Sequence, residues 1–572
     1  MRIGLIAEGG YPYVSGDARL WCDRLVRGLG QHEFDIYALS RSERQEGEGW
    51  IPLPPQVSRV RTAPLWTAED DGVVYGRRAR RRFAECYGEL VAMLCAGGAL
   101  AGSGSSEEAS ETSATEADRF ANALYGLAEL ARDEGGLVGA LRSEAAVRAL
   151  ERACRARGAL RTAREARVPD LLAVTAHLER ALRPLSLDWY EDDGLGAADL
   201  CHATSGGSAA LPGLLARHFC DVPLLLTEYG VRLRTHYLAP AESSPAVRSL
   251  LAALHGRLAA EAYTRAALIT PGNGHARRWQ ERCGADREKQ RTVYPGMDAS
   301  RFAEVGEAPE CADPDTLVWV GRVEPAKDLV SLLHAFAEVR KEEPKTRLRI
   351  VGAPSGAEGA AYLGHCRVLA AQLFPDEAEG PHTVGDNPVS FEEIGGPEIP
   401  ALADAYASGA VTVLSSVVEG FPIGLVEAML CGRATVSTDV GAVVEVIGGT
   451  GLVVPPRNPR ALAEACVALL RDPERRARLG AAARARALEL FTVEQNVAAF
   501  HGIYLEIVSR TPVRRVVLDE AGAPLPFGVP AEAHVPGRWT DRGARLVARG
   551  GPARPAAAPV RATAVPAREG AR

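Results

Sequence analysis

Two glutamates, Glu419 and Glu427, stand eight positions apart in EGFPIGLVEAMLCGR, residues 419–433. The spacing puts the first on a loop and the second a turn into the following helix, so both can address one ligand from different elements. A carboxylate accepts paired hydrogen bonds, which suits Glu419 to the hydroxyls of a sugar and Glu427 to the vicinal diol of a ribose. Between them run Gly420, Phe421, Pro422, Ile423, Gly424, Leu425 and Val426. The two glycines leave the loop backbone open to close approach, and the amides of Gly424 to Val426 sit at the positive end of a helix, where a pyrophosphate is a natural guest. Gly432 stands where a C-terminal helix cap belongs. A second pair, Arg322 and Lys327 in VGRVEPAKD, lies on the loop after a strand, beside the crevice in which open α/β sheets bind ligands. Taken singly, these residues read as a first-turn acid, a loop charge and two solvated cations. Taken together, they point to a nucleoside diphosphate carrying a sugar.

The elements that must position these residues follow from periodicity. Near the start, RIGLIA is an apolar strand, GGYPYVSGD a turn-rich loop, and Trp21, Leu25 and Leu29 recur at helical spacing before the strand FDIYALS, a βαβ opening. Residues 98–118, GALAGSGSSEEASETSATEAD, are Gly/Ser/Glu-rich and read as a flexible insertion. Ala-, Leu- and Arg-rich helical patterns fill 119–187, and strand signals resume at ADLCHATSGG and VPLLLTEYG. From Thr316 a second βαβ series begins: LVWVGR is strand, DLVSLLHAFAEVR is an amphipathic helix with Leu329, Leu332, Leu333 and Phe336 on one face, and RLRIVGA is strand. VTVLSSVV, a helix from Leu425, and ATVST repeat the unit. The expected fold is α/β with two Rossmann-like domains facing a central cleft. The first spans 1–300 with a helical insertion, the second 301–490, a last helix over 491–511 packs back on the first, and 512–572 is a disordered Pro/Ala/Arg-rich tail.

The bulk numbers narrow the classes. The chain has 572 residues, 47% hydrophobic and 24% charged, enough apolar surface for more than one core. A net charge of -7 gives no basic field for nucleic acid, and any membrane contact is expected to be peripheral, since no run approaches the roughly eighteen apolar residues of a spanning helix. Eleven cysteines are scattered without a CxxC pair or a His/Cys cluster at metal-ligand spacing, the pattern of reduced thiols in a cytoplasmic protein with no bound metal. A dinucleotide-dependent oxidoreductase fits poorly, because no strand leads into GxGxxG, and nothing compels a glycoside hydrolase.

With GRVEPAK and the E-x7-E segment both present, the chain resembles the retaining GT-B glycosyltransferases of family 4. VYPGMDASRF, residues 293–302, is similar to the family's entry into the second domain, and VGAVVEVI to its strand-end glycine loop. AEGGYPYVSGDARLWCDRLVRGL and LLTEYGVRLRTHYL resemble the branch typified by the Pel exopolysaccharide glycosyltransferase. The resemblance implies metal-independent transfer from a nucleotide-diphosphate sugar, foremost a UDP-sugar, to a glycan or small-molecule acceptor, with retention of configuration and no other cofactor. It implies that Glu419 contacts the donor sugar and Glu427 the ribose, with Arg322 and Lys327 stabilising the departing diphosphate. Two positions depart from the family. Its Gly-Gly pair in the first loop is Gly16-Asp17 here, which sets an acid near an anionic donor. Its T-E-H-G reads Thr227, Glu228, Tyr229, Gly230, so that Tyr229 either replaces the histidine assigned to the donor sugar or plugs a strand end. His202, at another strand end, could orient an acceptor hydroxyl, although a lone histidine is more often structural. These departures motivate the alternative of a catalytically silent GT-B module acting as a partner subunit.

Overall fold

Parallel strands covered on both faces are near-continuous apolar runs, and RIGLIAE and TLVWV are of that kind. In the computed structural model, which describes the chain except residues 17, 69–70, 97–106, 192, 240–242, 309–312, 376–386, 397 and 512–572, the strands form two six-stranded sheets. The first contains β1 (Arg2–Glu8), β2 (Glu33–Ser40), β3 (Val57–Pro64), β4 (Leu200–Ala203), β5 (Leu224–Glu228) and β6 (Leu268–Pro271) in the order β3-β2-β1-β4-β5-β6. The second contains β7 (Thr316–Val320), β8 (Arg347–Val351), β9 (Val389–Glu392), β10 (Val411–Leu414), β11 (Ala434–Thr438) and β12 (Leu452–Val454) in the order β12-β11-β10-β7-β8-β9. Neighbouring strands pair in parallel in both. Counted from its own first strand, each sheet has the doubly wound order 3-2-1-4-5-6, so these are two Rossmann-like domains. Strand order reverses between β1 and β4 and between β7 and β10, and a ligand crevice belongs outside the carboxyl ends at those two places.

The two-residue period of a strand explains how β7 organises the second domain. Leu317 and Trp319 enter one core with Leu329, Leu332, Leu333 and Phe336 of the helix Leu329–Glu342. Val318 and Val320 face the opposite core, with Leu425, Val426 and Met429 of the helix Ile423–Leu430. That helix begins two residues before the expected Leu425 and ends in a Schellman turn, where Gly432 (φ 66°) donates to Met429 O and Arg433 to Ala428 O.

Between β3 and β4 the chain forms helices that share one core with the first sheet, where Ile6 and Tyr37 meet Phe83, Leu90, Leu124 and Leu150. The helix Glu107–Glu134 starts inside the stretch expected to be flexible, which corrects that expectation for 107–118. Residues 98–106 and the tail 512–572 fall outside the described residues.

Met1–Ile503 forms one compact unit, and residues 504–572 a second, of which only the end of the helix Val493–Arg510 and Thr511 are described. Within the first unit Asn496 of the last helix accepts from Trp21 Nε1 at 3.2 Å and donates at 2.6 Å to the carbonyl of Tyr294, whose ring packs against the core of the second domain. No helix among the described residues is long and apolar enough to cross a membrane.

Candidate active site

The loops leaving β7 and β10 are tied together at the backbone. Val417 N donates to Ala326 O at 2.9 Å, and Ser415 Oγ to Lys327 O at 2.7 Å. That stitching brings two sequence-predicted residues into contact: Lys327 Nζ forms an ion pair with Glu419 Oε1, which also accepts from Ser416 Oγ at 2.7 Å. The side chains of Lys327 and Glu419 are 18% and 9% exposed, so the pair is largely withdrawn from water. Arg322, at the end of β7, is exposed and has no ion pair among the described residues.

Glu427 lies one turn into its helix and accepts from Tyr406 OH at 2.7 Å, while the same hydroxyl reaches Gly424 O at 3.1 Å. Burial raises the Glu427 carboxyl above its ordinary value, against the pull of the Tyr406 hydrogen bond and the charges of Arg301 and Arg24. Arg24 comes from the first domain, where its Nη1 is 2.8 Å from Gly296 O.

The loop between the two acids only partly meets expectation. The Leu425 and Val426 amides donate to Pro422 O at 3.1 and 3.3 Å, and Ile423 N to Phe421 O at 3.0 Å. Of the three amides expected to face a ligand, Gly424 alone has no backbone acceptor among the described residues. The correction has a local cause: a tight turn at Pro422 closes the first helical bonds on itself. Leu425 and Val426 are core side chains, 2% and 0% exposed, whereas Gly420 has open space where a Cβ would stand. Phe421 packs its ring on Tyr294 and Phe491, Pro422 is buried and Ile423 is exposed. The Glu419 carbonyl is gripped from outside the loop. A Cβ on Gly441 (φ 59°) would stand 2.4 Å from it, so only glycine fits there.

The first domain presents its own charged group at the carboxyl ends of β1 and β5. Glu8 pairs with Arg232 and, at 3.2 Å, with Arg41. Burial pushes its carboxyl up, but the two guanidiniums outweigh this and hold it below the ordinary value. Glu228 is 1% exposed and raised by burial, opposed by hydrogen bonds from Tyr263, Gln280 and the amides of Gly206 and Arg232. Gly16 (φ 129°) sits against Gly9 and Gly10, where a Cβ would approach Gly9 O to 2.0 Å. Gly16 therefore closes the first-domain loop on itself, and Asp17 lies outside the described residues.

Tyr229 sits edge-on to Trp21 with ring centroids 5.3 Å apart, fills the space beside Gly272, and places its hydroxyl 3.4 Å from Asn496 Nδ2. These contacts are those of the plug reading, and they leave the hydroxyl with the Asn496 amide as a donor partner. His202 is fully buried, with Nε2 2.6 Å from Thr227 Oγ1, and burial lowers it to about 3. It is a neutral core histidine with no exposed surface, the structural one of the two readings.

Three contributors escaped the sequence reading: Tyr406, Ser416 and Arg234, whose Nη2 donates to Glu419 O at 2.8 Å. Only Ser416, three residues before Glu419, carried a local signal. No group of three or more His, Cys, Asp or Glu side chains among the described residues could hold a metal ion.

Comparison with known proteins agrees with this geometry at the level of family and fold. Residues 1–288 match the family described as "Domain of unknown function (DUF3492)", and residues 314–472 match "Glycosyl transferases group 1". The D-inositol 3-phosphate glycosyltransferase of Streptomyces bingchenggensis is 33% identical over 236 residues, 39% of this chain and 49% of that protein. Its counterpart in Kineococcus radiotolerans is 34% identical over 225 residues, 36% of this chain and 49% of that protein. The chain thus spans about half the length of the curated relatives it matches. A sucrose-phosphate synthase from Thermosynechococcus elongatus has the same fold, with a TM-score of 0.52 at 18% identity over 89% of this chain and 99% of that one.

Proposed function

We propose that this chain, which belongs to the DUF3492 family and carries a group 1 glycosyl transferase segment, transfers a sugar from a nucleotide-diphosphate donor held at the carboxyl ends of β7 and β10. The observation that carries the reading is the Lys327–Glu419 pair where the strand order of the second sheet reverses, with the exposed Arg322 on the same loop after β7 as Lys327 and Glu427 one turn into the helix that follows the Glu419 loop. A dianionic diphosphate would meet Arg322, Lys327 and the Gly424 amide there, charge stabilisation aimed at the leaving group. Glu427 would take the ribose and Glu419 the sugar. By the resemblance to family 4 we infer retention of configuration, with the leaving phosphate accepting the acceptor's proton and no protein nucleophile or metal called upon. A UDP-sugar donor, a glycan or small-molecule acceptor, a cytoplasmic location and a role in polysaccharide or cell-surface glycan synthesis of the Pel type complete the proposal.

The test is a thermal-shift panel of UDP, GDP and ADP in the presence of EDTA, followed by a donor-hydrolysis and transfer assay. One nucleotide is expected to raise the melting temperature, and Glu427→Ala to abolish the rise. No response to any nucleotide would refute the reading. One observation favours a second reading, that of a nucleotide-binding but silent subunit: Tyr229 is engaged with Trp21 and Asn496. That reading expects binding without hydrolysis or transfer, and turnover by the purified protein removes it.

A further inference from the structure

The short helix Arg232–Leu238 carries two arginines two positions apart. At about 100° per residue their side chains leave on nearly opposite faces. Arg232 points into the first domain, onto Glu8 at the end of β1, whose side chain is only 4% exposed. Between them Leu233, 2% exposed, anchors the helix in the first core. Arg234 points the other way and reaches the second domain, where Nη2 lies 2.8 Å from the carbonyl oxygen of Glu419. It is half-buried, and burial lowers its guanidinium while the Glu419 charge opposes that shift. The Glu419 carbonyl thereby accepts from the Arg234 guanidinium beside Gly441, where a Cβ would stand 2.4 Å from it, while its carboxylate is held by Lys327 and Ser416.

We propose that Arg234 is a positioning residue which the first domain contributes to the donor site. It fixes the Glu419–Gly424 loop in its binding conformation, and the Arg232–Glu8 pair sets the helix from which it reaches. The donor half of this statement rests on the function proposed above, whereas the bridge itself does not. The role differs from those of Arg322 and Lys327, because Arg234 acts on the loop backbone and comes from the opposite domain.

The experiment has two readouts on the full chain. Hydrogen–deuterium exchange of unliganded protein should rise about tenfold over residues 416–426 in Arg234→Ala, the scale of one lost charge-assisted hydrogen bond. Exchange over β4 to β6 should stay as in the native protein. Arg234→Lys, which keeps a cationic donor, should stay within threefold of native exchange, and Arg234→Gln, too short to span the gap, should follow alanine. The Lys and Gln pair decides the matter if the alanine variant does not fold. In the second readout Arg234→Ala should keep its affinity for UDP, GDP or ADP within threefold while turnover falls at least tenfold, and lysine should restore most of that turnover. Unchanged exchange at 416–426, a rise spread evenly over the chain, or unchanged turnover would each overturn the proposal. If the native protein binds none of the nucleotides, the donor assignment falls, and the exchange result still decides whether Arg234 holds the loop.

Discussion

Replacing Lys327 by methionine separates what the crevice does for stability from what it does for ligand. The change removes the cation and keeps most of the side-chain length. It leaves the Glu419 carboxylate, 9% exposed, with Ser416 Oγ as its remaining side-chain donor. Breaking a fully buried pair costs about 3–5 kcal/mol, and an exposed one about 0–1 kcal/mol. Lys327 is 18% exposed, so the expected cost lies between the two ranges, nearer the buried one, at about 2–3 kcal/mol. For domains of this size that is a fall in melting temperature of about 4–12 °C. Arg322→Met removes an exposed, unpaired cation and should move stability by no more than about 0.5 kcal/mol. Both variants remove a charged donor from the diphosphate and should weaken nucleotide binding alike, by about 10- to 100-fold. Adding Glu419→Gln to Lys327→Met should recover much of the lost stability and none of the affinity. Differential scanning fluorimetry and isothermal titration with the nucleotide that binds read both quantities. Equal melting temperatures for the two single variants would show that the Lys327–Glu419 pair is solvated. Unchanged affinity in both would show that these cations do not hold a diphosphate.

Further expectations concern single sites. Because burial raises the Glu427 carboxyl above its unfolded value, its contribution is fully present below the unfolded carboxylate range and is lost as pH rises through the folded value. Glu427→Gln should therefore flatten the fall in melting temperature as pH rises above 4.5 while weakening nucleotide binding at least tenfold; a slope identical to the native one would refute the burial argument. His202 is held at about 3 in the folded protein, so its contribution is present above the unfolded value and lost as pH falls toward 3. His202→Gln should abolish about 2 kcal/mol of acid destabilisation between pH 6.5 and 5, measured as a smaller drop in melting temperature over that interval. Gly16→Ala should destabilise by more than about 2 kcal/mol, since its Cβ would lie 2.0 Å from Gly9 O; a melting temperature within a degree of native would show that the loop relaxes cheaply. Tyr229→Phe, which gives up only a 3.4 Å contact with Asn496, should leave turnover within threefold and stability within about 1 kcal/mol. Loss of transfer in that variant would mean the phenol does more than plug.

What the sequence disclosed, and what it hid, divides along the range of the interactions. Strands such as RIGLIAE and TLVWV and the amphipathic helix Leu329–Glu342 were legible because burial on one or both faces writes a period into consecutive residues. The start of the helix Glu107–Glu134 was not, because its first turns hold too few apolar residues to suggest a core. Glu and Ala there are good helix formers, and the helix extends back from the buried Phe120, Leu124 and Leu127. The acids and cations of the site were legible as residue types at suggestive spacings. Their partners were not: Tyr406 reaches Glu427 from 21 positions away, Lys327 meets Glu419 across 92, and Arg234 meets its carbonyl across 185. Spacing also cannot say which charges cancel. Read along the chain, Arg322 and Lys327 are two equivalent cations awaiting a diphosphate. In the folded protein one of them is already engaged by the carboxylate expected to hold the sugar. On the proposed reading, a diphosphate that drew Lys327 toward itself would leave that carboxylate free for the sugar hydroxyls, so phosphate and sugar recognition would be coupled through a single ion pair rather than added side by side.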